Sequence, residues 1–248
     1  MNLRGTKRHW EKFARTDPLW AVLTDDDKKG NQWRVDEFFQ TGVDSVAAEI
    51  KGLLVNCPDM KFGSALDFGC GVGRLSQALA GHYQRVVGVD ISEKMLEHAR
   101  GYNRHGAKVE YVLNVQDDLG QLASNQFDLV YSVITLQHME PRYARRYIAE
   151  FVRVAAPGGV ILFQVPAVSE KAVRKPRPFT LWPDTLVKRL YRDIRKKLAT
   201  DPVMEMHALP RTEVESILTT AGAKVLESYR YDAAGDRLAS WGYLARKP

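Results

Sequence analysis

Apolar positions in the middle of the chain alternate between short continuous runs and helical spacings. The predicted strands are Ser64–Phe68, Val86–Val89, Val109–Leu113, Phe127–Val133 and Val160–Val165. The predicted helices are Val46–Leu54, Arg74–His82, Glu93–Tyr102 with Ser92 as its N-cap, and one that begins near Pro141 and ends before Pro157. Runs of strand length separated by helical periodicity predict an α/β fold, with helices on both faces of a parallel sheet.

The two ends of the chain depart from this alternation. Residues 1–45 mix aromatic and charged residues without a period, which predicts short helices and loops that form an N-terminal lid. After a predicted helix over Arg211–Ala221, the segments Lys224–Tyr231 and Ser240–Arg246 are strand-like, and the short link Asp232–Arg237 joins them. Such strands pair antiparallel, so the sheet is expected to end in an antiparallel hairpin. Residues 46–166 and 209–248 are then expected to form one domain.

Residues 167–208 are an insertion between the last parallel strand and the final helix. Asp184–Ala199 has the spacing of an amphipathic helix. The segment from Glu170 to Lys197 carries ten basic and three acidic residues, in a chain whose net charge is +6. This charge is interpreted as a solvated helix face beside the substrate cleft, as a clamp for an anionic substrate, or as a contact with a membrane surface or nucleic acid. Nucleic acid is disfavoured, because few aromatic residues interleave the charges.

Composition narrows the class of protein. The chain has 248 residues, 45% of them hydrophobic and 27% charged, as in ordinary globular proteins. Its apolar runs fall far short of the ~20 residues that span a bilayer. Only Cys57 and Cys70 are present, without a Cys/His cluster, which disfavours a disulfide framework or a metal site. A soluble, cytoplasmic protein without a metal is therefore expected.

The densest chemical signal is the segment Asp67–Gly73, directly after the first predicted strand. Its glycines are Gly69, Gly71 and Gly73. Glycine lets a ligand lie against the backbone, and open parallel sheets bind ligands beyond the carboxyl ends of their strands. The last two glycines with Ser76 imitate a dinucleotide fingerprint. Asp67, however, would repel a pyrophosphate and attract a cationic ligand with an amino group and a sulfonium, while Asp90 suits the ribose of either ligand.

In these segments the chain resembles the class I S-adenosylmethionine-dependent methyltransferases. The residues that carry the resemblance are Ala65–Arg74, Val87–Ser92 with Met95, Phe127–Ser132, Leu136–His138 and Arg153–Gly159. The resemblance covers residues 60–166 and implies a doubly wound, Rossmann-like, seven-stranded sheet that is mostly parallel with an antiparallel last strand. It also implies S-adenosylmethionine as the cofactor, and methyl transfer to an oxygen or nitrogen of a small molecule.

The resemblance further implies roles for single residues. Asp67 and the backbone of the glycine loop would hold the methionine end of the cofactor, Asp90 the ribose, and Ile91 with Met95 the adenine. Many members place an acid after the third strand to bind the adenine amino group. This chain departs from that pattern, and the residues available there are Asn114, Val115, Gln116 and Asp117.

Methyl transfer is an in-line displacement, so the protein must align the nucleophile and, if necessary, remove its proton. His138, beyond the fourth strand, is the candidate base, against the alternative that it only hydrogen-bonds its own loop. The candidate substrate contacts are Tyr131, Gln137, His207 and Trp33. The expected partner is a small molecule, with a phosphate- or carboxylate-bearing metabolite as one candidate.

Two other classes of function stay open. One is a cofactor-binding, non-catalytic subunit of a methyltransferase complex, which would bind S-adenosylmethionine without turnover. The other is an NAD(P)-dependent oxidoreductase, which the dinucleotide-like spacing suggests and Asp67 disfavours. The sequence predicts neither the substrate's identity nor the oligomeric state.

Overall fold

The computed structural model describes residues 2–167, 202–231 and 240–248. The strands are β1 (Ser64–Phe68), β2 (Arg85–Asp90), β3 (Val109–Leu113), β4 (Phe127–Ser132), β5 (Ala155–Pro166), β6 (Lys224–Arg230) and β7 (Ser240–Arg246). The α-helices are α1 (Leu3–Thr16), α2 (Pro18–Val22), α3 (Val35–Asn56), α4 (Arg74–Ala80), α5 (Glu93–Tyr102), α6 (Pro141–Val154) and α7 (Arg211–Thr220). The predicted basic helix Asp184–Ala199 and the link Asp232–Arg237 lie outside the described residues.

The strands form a seven-stranded sheet in the order β3-β2-β1-β4-β5-β7-β6. The first five strands pair in parallel, and β7 pairs antiparallel with both β5 and β6. This arrangement confirms the predicted sheet and its terminal hairpin. From β1 the chain moves outward in one direction through β2 and β3, and then in the other through β4 and β5. A crevice is therefore expected at the carboxyl end of β1, where the direction of winding changes.

Helices cover both faces of the sheet, because alternate strand residues are buried on opposite sides. Leu66 and Val130 pack in one cluster with Phe151 of α6. Ala65 and Leu129 pack in the other, with residues of α3, α4 and α5. The predicted doubly wound architecture is thus confirmed. No helix of the described ranges is long and apolar enough to cross a membrane.

The predicted helix start at Val46 is wrong, because α3 begins at Val35, so the expected boundary between residues 45 and 46 falls inside a continuous helix. The sequence predicted only short helices over residues 1–45, but α1 alone has 14 residues. The N-terminal part of α3 buries Phe38 and Phe39 in an aromatic cluster with α1 and α2. Its later part buries Val46 and Ile50 against the sheet. One helix therefore serves two clusters, which obscures its periodicity in the sequence.

Outside α3, the largest differences between predicted and observed element boundaries are in α4 and β5. Helix α4 ends at Ala80 rather than His82, just before Gly81. Strand β5 begins at Ala155 rather than Val160, because Ala155 already pairs with Phe127 before an irregularity in the register. The Pro-Gly-Gly sequence that predicted a turn before the strand is accommodated within it.

Candidate functional site

A cavity of about 870 Å³, including space open to solvent, lies at the carboxyl ends of β1, β2 and β4. The cavity lies where the topology predicts a crevice. Four of its lining residues come from the N-terminal helices: Leu3, Thr6, Trp10 and Val22. The loops and helices at the ends of the strands supply further lining residues, which include Gly69, Gly71, Arg74, Asp90, Ile91, Asn114, Ile134, Thr135, His138 and Tyr147.

The glycine loop between β1 and α4 forms the floor of the cavity. Gly69 and Gly71 have φ angles of +80° and +54°, in the left-handed region that favours glycine. A Cβ atom on Gly69 would lie 2.1 Å from Cγ2 of Thr135, and one on Gly71 would lie 2.6 Å from Cγ2 of Val22. The loop therefore requires glycine for its backbone and for the close approach of two other segments.

Asp90, at the end of β2, is bound to this loop through its carboxylate. Its Oδ2 accepts a hydrogen bond from the backbone N–H of Gly71 at 2.9 Å, and its Oδ1 accepts one from Ser92 at 2.8 Å. Burial raises the pKa of Asp90 to about 6, although these backbone donors oppose the effect. Each carboxylate oxygen has more than one acceptor position, so Asp90 can also accept hydrogen bonds from hydroxyls in the cavity.

Asp67, at the end of β1, is buried and does not line the cavity. Its Oδ2 accepts a hydrogen bond from the Ser76 hydroxyl at 2.6 Å. Burial raises the pKa of Asp67 to about 6, while the Ser76 hydrogen bond and the charge of Arg74 act in the opposite direction. In this structure Asp67 can influence a ligand through its charge rather than by contact. Gly73, which is next to Arg74, does not line the cavity either.

The segment predicted to hold adenine is only partly at the cavity. Ile91 and Asn114 line it, whereas Met95 is fully buried in the N-terminal aromatic cluster. Val115 and Gln116 are exposed. The side chain of Asn114 hydrogen-bonds to the backbone of its own loop. Its Oδ1 accepts a hydrogen bond from the Gln116 N–H at 3.1 Å, and its Nδ2 donates one to a backbone carbonyl at 2.8 Å.

Tyr147 of α6 is a buried residue that also lines the cavity. Its hydroxyl donates to the backbone carbonyl of Gln116 at 2.5 Å and accepts from Nδ2 of Asn114 at 3.2 Å. Its helical spacing is that of a core position, so the sequence carried no signal for this second role.

His138 lines the cavity with both ring nitrogens hydrogen-bonded. Nδ1 lies 2.8 Å from the backbone carbonyl of Glu205, and Nε2 lies 3.3 Å from the side-chain Nε2 of Gln137. Since a carbonyl only accepts, these partners indicate a proton on Nδ1 and an occupied lone pair on Nε2. Burial lowers the pKa of His138 to about 4, so the ring is neutral near pH 7. A group with so low a pKa is a weak base.

Gln164 of β5 connects the loop after β4 to the end of the sheet. Its Oε1 accepts from the backbone N–H of Ile134 at 3.0 Å, and its Nε2 donates to Oε1 of Gln137 at 3.1 Å and to the hydroxyl of Ser240. Ile134 has a φ angle of +57°, which is strained for a β-branched residue. Gln164 thus stabilises a strained residue of the cavity wall. The signal for it in the sequence was a single amide inside an apolar strand.

Residues 65–159 match the model of a protein family described as a methyltransferase domain. This segment is a methyltransferase domain. The sheet order of the described chain, with the antiparallel strand β7 beyond this segment, is that of the class I, Rossmann-like enzymes, which confirms the resemblance seen in the sequence.

Curated relatives match the same part of the chain. A ubiquinone biosynthesis O-methyltransferase of Thiobacillus denitrificans is 35% identical over 99 residues, which are 40% of this chain and 42% of that protein. A trans-aconitate 2-methyltransferase of Deinococcus radiodurans is 31% identical over 142 residues, 56% of this chain and 52% of that protein. The chain therefore spans about half the length of the curated relatives it matches.

Solved structures share the fold over a larger part of the chain. A magnesium protoporphyrin IX methyltransferase from Synechocystis PCC 6803, solved with bound SAH, has a TM-score of 0.62 at 19% identity, covering 98% of both chains. An S-adenosylmethionine-dependent methyltransferase from Mesorhizobium loti has a TM-score of 0.57 at 20% identity, covering 83% of this chain and 100% of that one. At these identities the likeness shows the fold alone.

The four predicted substrate contacts do not line the cavity. Tyr131 and Gln137 are buried. The ring of His207 lies 3.1 Å from a carboxylate oxygen of Glu205. Trp33 packs within the N-terminal aromatic cluster, and its Nε1 donates to a backbone carbonyl at 3.1 Å.

Among the tryptophans of the described residues, Trp10 of α1 lines the cavity. Its ring lies edge-on to His138, with the ring centres 5.4 Å apart. Helix α1 is held at α5 by His98, whose Nε2 lies 2.9 Å from the backbone carbonyl of Ala14. His9 accepts a hydrogen bond at Nδ1 from the backbone N–H of Val203 at 2.9 Å. The N-terminal helices therefore form the roof of the cavity.

Proposed function

We propose that this chain binds S-adenosylmethionine in the cavity and transfers its methyl group to an oxygen, or alternatively a nitrogen, of a small molecule. The observation that carries the proposal is the carboxylate of Asp90, which binds the glycine loop through Gly71 and faces the cavity. An acceptor in this place suits the two hydroxyls of a ribose. The charge of the site favours a cationic ligand, because the buried carboxylate of Asp67 and the half-buried carboxylate of Asp90 lie on neighbouring strands at this edge of the sheet.

The residues of the cavity fit this cofactor. Asp90 would hold the ribose, Ile91 and Asn114 would contact the adenine, and the backbone of the glycine loop would receive the methionine end. When bound, S-adenosylmethionine supplies a methyl carbon that is already activated by the sulfonium. The remaining work of the chain is to orient the acceptor and to exclude water, and the roof residue Trp10 is placed for the second task.

The class of substrate is inferred from the relatives. One of them is named a ubiquinone biosynthesis O-methyltransferase, and another is named a trans-aconitate 2-methyltransferase. We therefore favour an oxygen of a small, hydroxyl- or carboxyl-bearing molecule. His138 stays the candidate base, but a substrate hydroxyl would have to replace the Gln137 amide at its Nε2. We further propose that the N-terminal residues 1–45 act as a lid over the cavity and that the basic insertion of residues 167–208 shapes the substrate site.

Calorimetric titration tests the proposal. Wild-type protein is expected to bind S-adenosylmethionine and S-adenosylhomocysteine but not NADP. Asp90→Ala is expected to weaken both by roughly 10- to 100-fold, because it removes charge-assisted hydrogen bonds. Asp44→Ala, which removes an exposed carboxylate of α3, is the matched control. Binding of NADP without S-adenosylmethionine would overturn the proposal.

A second assay measures transfer of a labelled methyl group to a panel of hydroxylated and carboxylated metabolites. It distinguishes an enzyme from a non-catalytic partner subunit. Turnover of any member of the panel supports catalysis by this chain. Tight binding of S-adenosylmethionine, with turnover only after a second protein is added, would instead favour the non-catalytic subunit.

A further inference from the structure

A chain of buried polar side chains leads from the loop after β4 to the cavity. Gln164 of β5 contacts Gln137, and Gln137 contacts His138. All three side chains are buried, so their polar atoms must pair with one another or with the backbone. The result is a continuous series of hydrogen bonds between two backbone groups, the N–H of Ile134 and the carbonyl of Glu205.

The backbone group at each end fixes the direction of this chain. The Ile134 N–H can only donate, so the oxygen of the Gln164 amide faces it at 3.0 Å and the Gln164 nitrogen faces Gln137. That nitrogen donates to Oε1 of Gln137 at 3.1 Å, which leaves the Gln137 nitrogen to donate to Nε2 of His138 at 3.3 Å. The Glu205 carbonyl can only accept, so Nδ1 of His138, 2.8 Å away, carries the ring proton. The two ends of the chain therefore assign the same tautomer.

The longest bond of the chain lies where it meets the cavity. This is the bond between Gln137 and His138, and His138 lines the cavity. A hydroxyl group that enters this bond can accept a hydrogen bond from the Gln137 amide and donate its own proton to Nε2 of His138. The chain then keeps its direction, and every polar group in it stays paired.

A carboxylate does not fit the same place. It has no proton to donate near pH 7, so it would set an oxygen lone pair against the lone pair of Nε2. Burial lowers the pKa of His138 to about 4, so the ring supplies no positive charge in that range. The roof and the loop after β4 line the cavity with apolar side chains, which include Leu3, Trp10, Ile134 and Met139. An unpaired carboxylate buried among them would cost free energy.

We propose that Gln137 and His138 form a binding site for a neutral hydroxyl group, with Gln164 as the positioning residue that orients the Gln137 amide. The site selects a hydroxyl over a carboxylate, which narrows the class of methyl acceptor. That this hydroxyl is the one to be methylated rests on the proposed function. Its binding does not require the cofactor, so the site can be tested on the ligand-free protein.

Nuclear magnetic resonance of protein with isotope-labelled histidine tests the direction of the chain. His138→Gln assigns the signals of this ring among those of the six histidines. In wild type, Nδ1 of His138 should have the chemical shift of a protonated nitrogen and Nε2 that of an unprotonated one. Gln137→Glu replaces the donor by an acceptor, so Nε2 should gain a proton and the titration midpoint of the ring should rise by about 1–3 pH units. Gln84→Glu, which places the same charge at an exposed position, is the matched control and should change neither quantity.

Gln164→Glu tests the positioning role without touching the ring. The new carboxylate still accepts from the Ile134 N–H, but it no longer donates to Gln137. The Gln137 amide should therefore turn around and present its oxygen to His138, and the share of protonated Nε2 should rise. A side chain that only fills space would not move this proton. Gln164→Glu also replaces Gln137→Glu if that variant does not fold.

Titration with phenol and benzoate tests the hydroxyl site in the same labelled protein. The two probes share an aromatic ring, and near pH 7 phenol carries a neutral hydroxyl whereas benzoate carries a carboxylate. Phenol should shift the Nε2 signal of His138 and leave that of the exposed His82 unchanged, and benzoate should shift neither. Gln137→Glu should weaken the response to phenol about 10-fold, because the donor to the hydroxyl oxygen is lost.

Three results would overturn the proposal. The first is a protonated Nε2 in ligand-free wild-type protein. The second is an Nε2 signal of His138 that responds to benzoate as strongly as to phenol, or to neither probe. The third is that both Gln137→Glu and Gln164→Glu match Gln84→Glu. If the protein binds neither S-adenosylmethionine nor S-adenosylhomocysteine, the proposed function fails, and the phenol and benzoate titrations still decide the hydroxyl site.

Discussion

The buried carboxylate of Asp67 should make the stability of the ligand-free protein fall as the pH rises. Burial raises its pKa from the usual 3.8 to about 6. The unfolded chain therefore releases this proton at lower pH than the folded protein does. Because the folded protein binds more protons between these two values, the free energy of unfolding decreases as the pH rises through this window. Asp67→Asn removes the titration but keeps an oxygen that can accept the Ser76 hydrogen bond.

The size of the effect follows from the two pKa values. A separation from 3.8 to about 6 corresponds to about 3 kcal/mol, since each pH unit between them changes the free energy of unfolding by about 1.4 kcal/mol. About 2 kcal/mol of this falls between pH 4.5 and 7.5. The free energy of unfolding of Asp67→Asn minus that of wild type should therefore increase by about 2 kcal/mol across this range.

Urea unfolding, followed by the fluorescence of the five tryptophans, measures this difference at each pH. The amide of the new asparagine adds an offset that does not depend on pH, so the trend with pH is the decisive quantity. Asp44→Asn controls for the loss of an exposed carboxylate of α3. A difference between Asp67→Asn and wild type that stays constant from pH 4.5 to 7.5, or that decreases, would refute the reasoning.

Three further perturbations test the loop, the histidine and the amide network. Gly71→Ala should lower the free energy of unfolding by about 2–3 kcal/mol, because Gly71 has a φ of +54° and the new Cβ would lie 2.6 Å from Val22. As a control, Gly101→Ala in α5 should raise the free energy of unfolding by up to about 1 kcal/mol, since the new Cβ meets nothing within 4 Å. Equal effects of the two substitutions in urea unfolding would contradict this prediction. The pH profile of kcat/KM from pH 6 to 9 should show no inflection from His138, whose pKa is lowered to about 4 by burial; an inflection that disappears in His138→Gln would refute this. Gln164→Leu should lower the free energy of unfolding by about 2–4 kcal/mol, because Ile134 loses the acceptor of its N–H, and an unchanged urea midpoint would show that the loop does not depend on this amide.

Local patterns were sufficient for most of the methyltransferase domain. Strands β1 and β3 begin and end at the predicted residues, and Ser92 caps α5 by accepting a hydrogen bond from the Met95 N–H at 3.2 Å. Asp90 lies at the same edge of the sheet as the glycine loop, because the neighbouring parallel strands β1 and β2 end there. These features depend on residues close in sequence, or on a pairing that the α/β alternation requires.

The cavity wall depended on contacts that no local pattern encodes. Trp10 meets His138, Gln164 binds Ser240, and Arg74 lies under α3, in each case across many residues of sequence. Trp33 was as plausible a cavity residue as Trp10, since both stand in the same irregular N-terminal stretch.

Residue patterns alone were enough to predict the order of the elements, the glycine loop and the acid after the second strand. Which of several similar side chains reach the cavity depends on the packing of the elements in the folded protein. The physical reason is that hydrophobic periodicity specifies which face of an element is buried, whereas the neighbours on that face are set by how the elements pack.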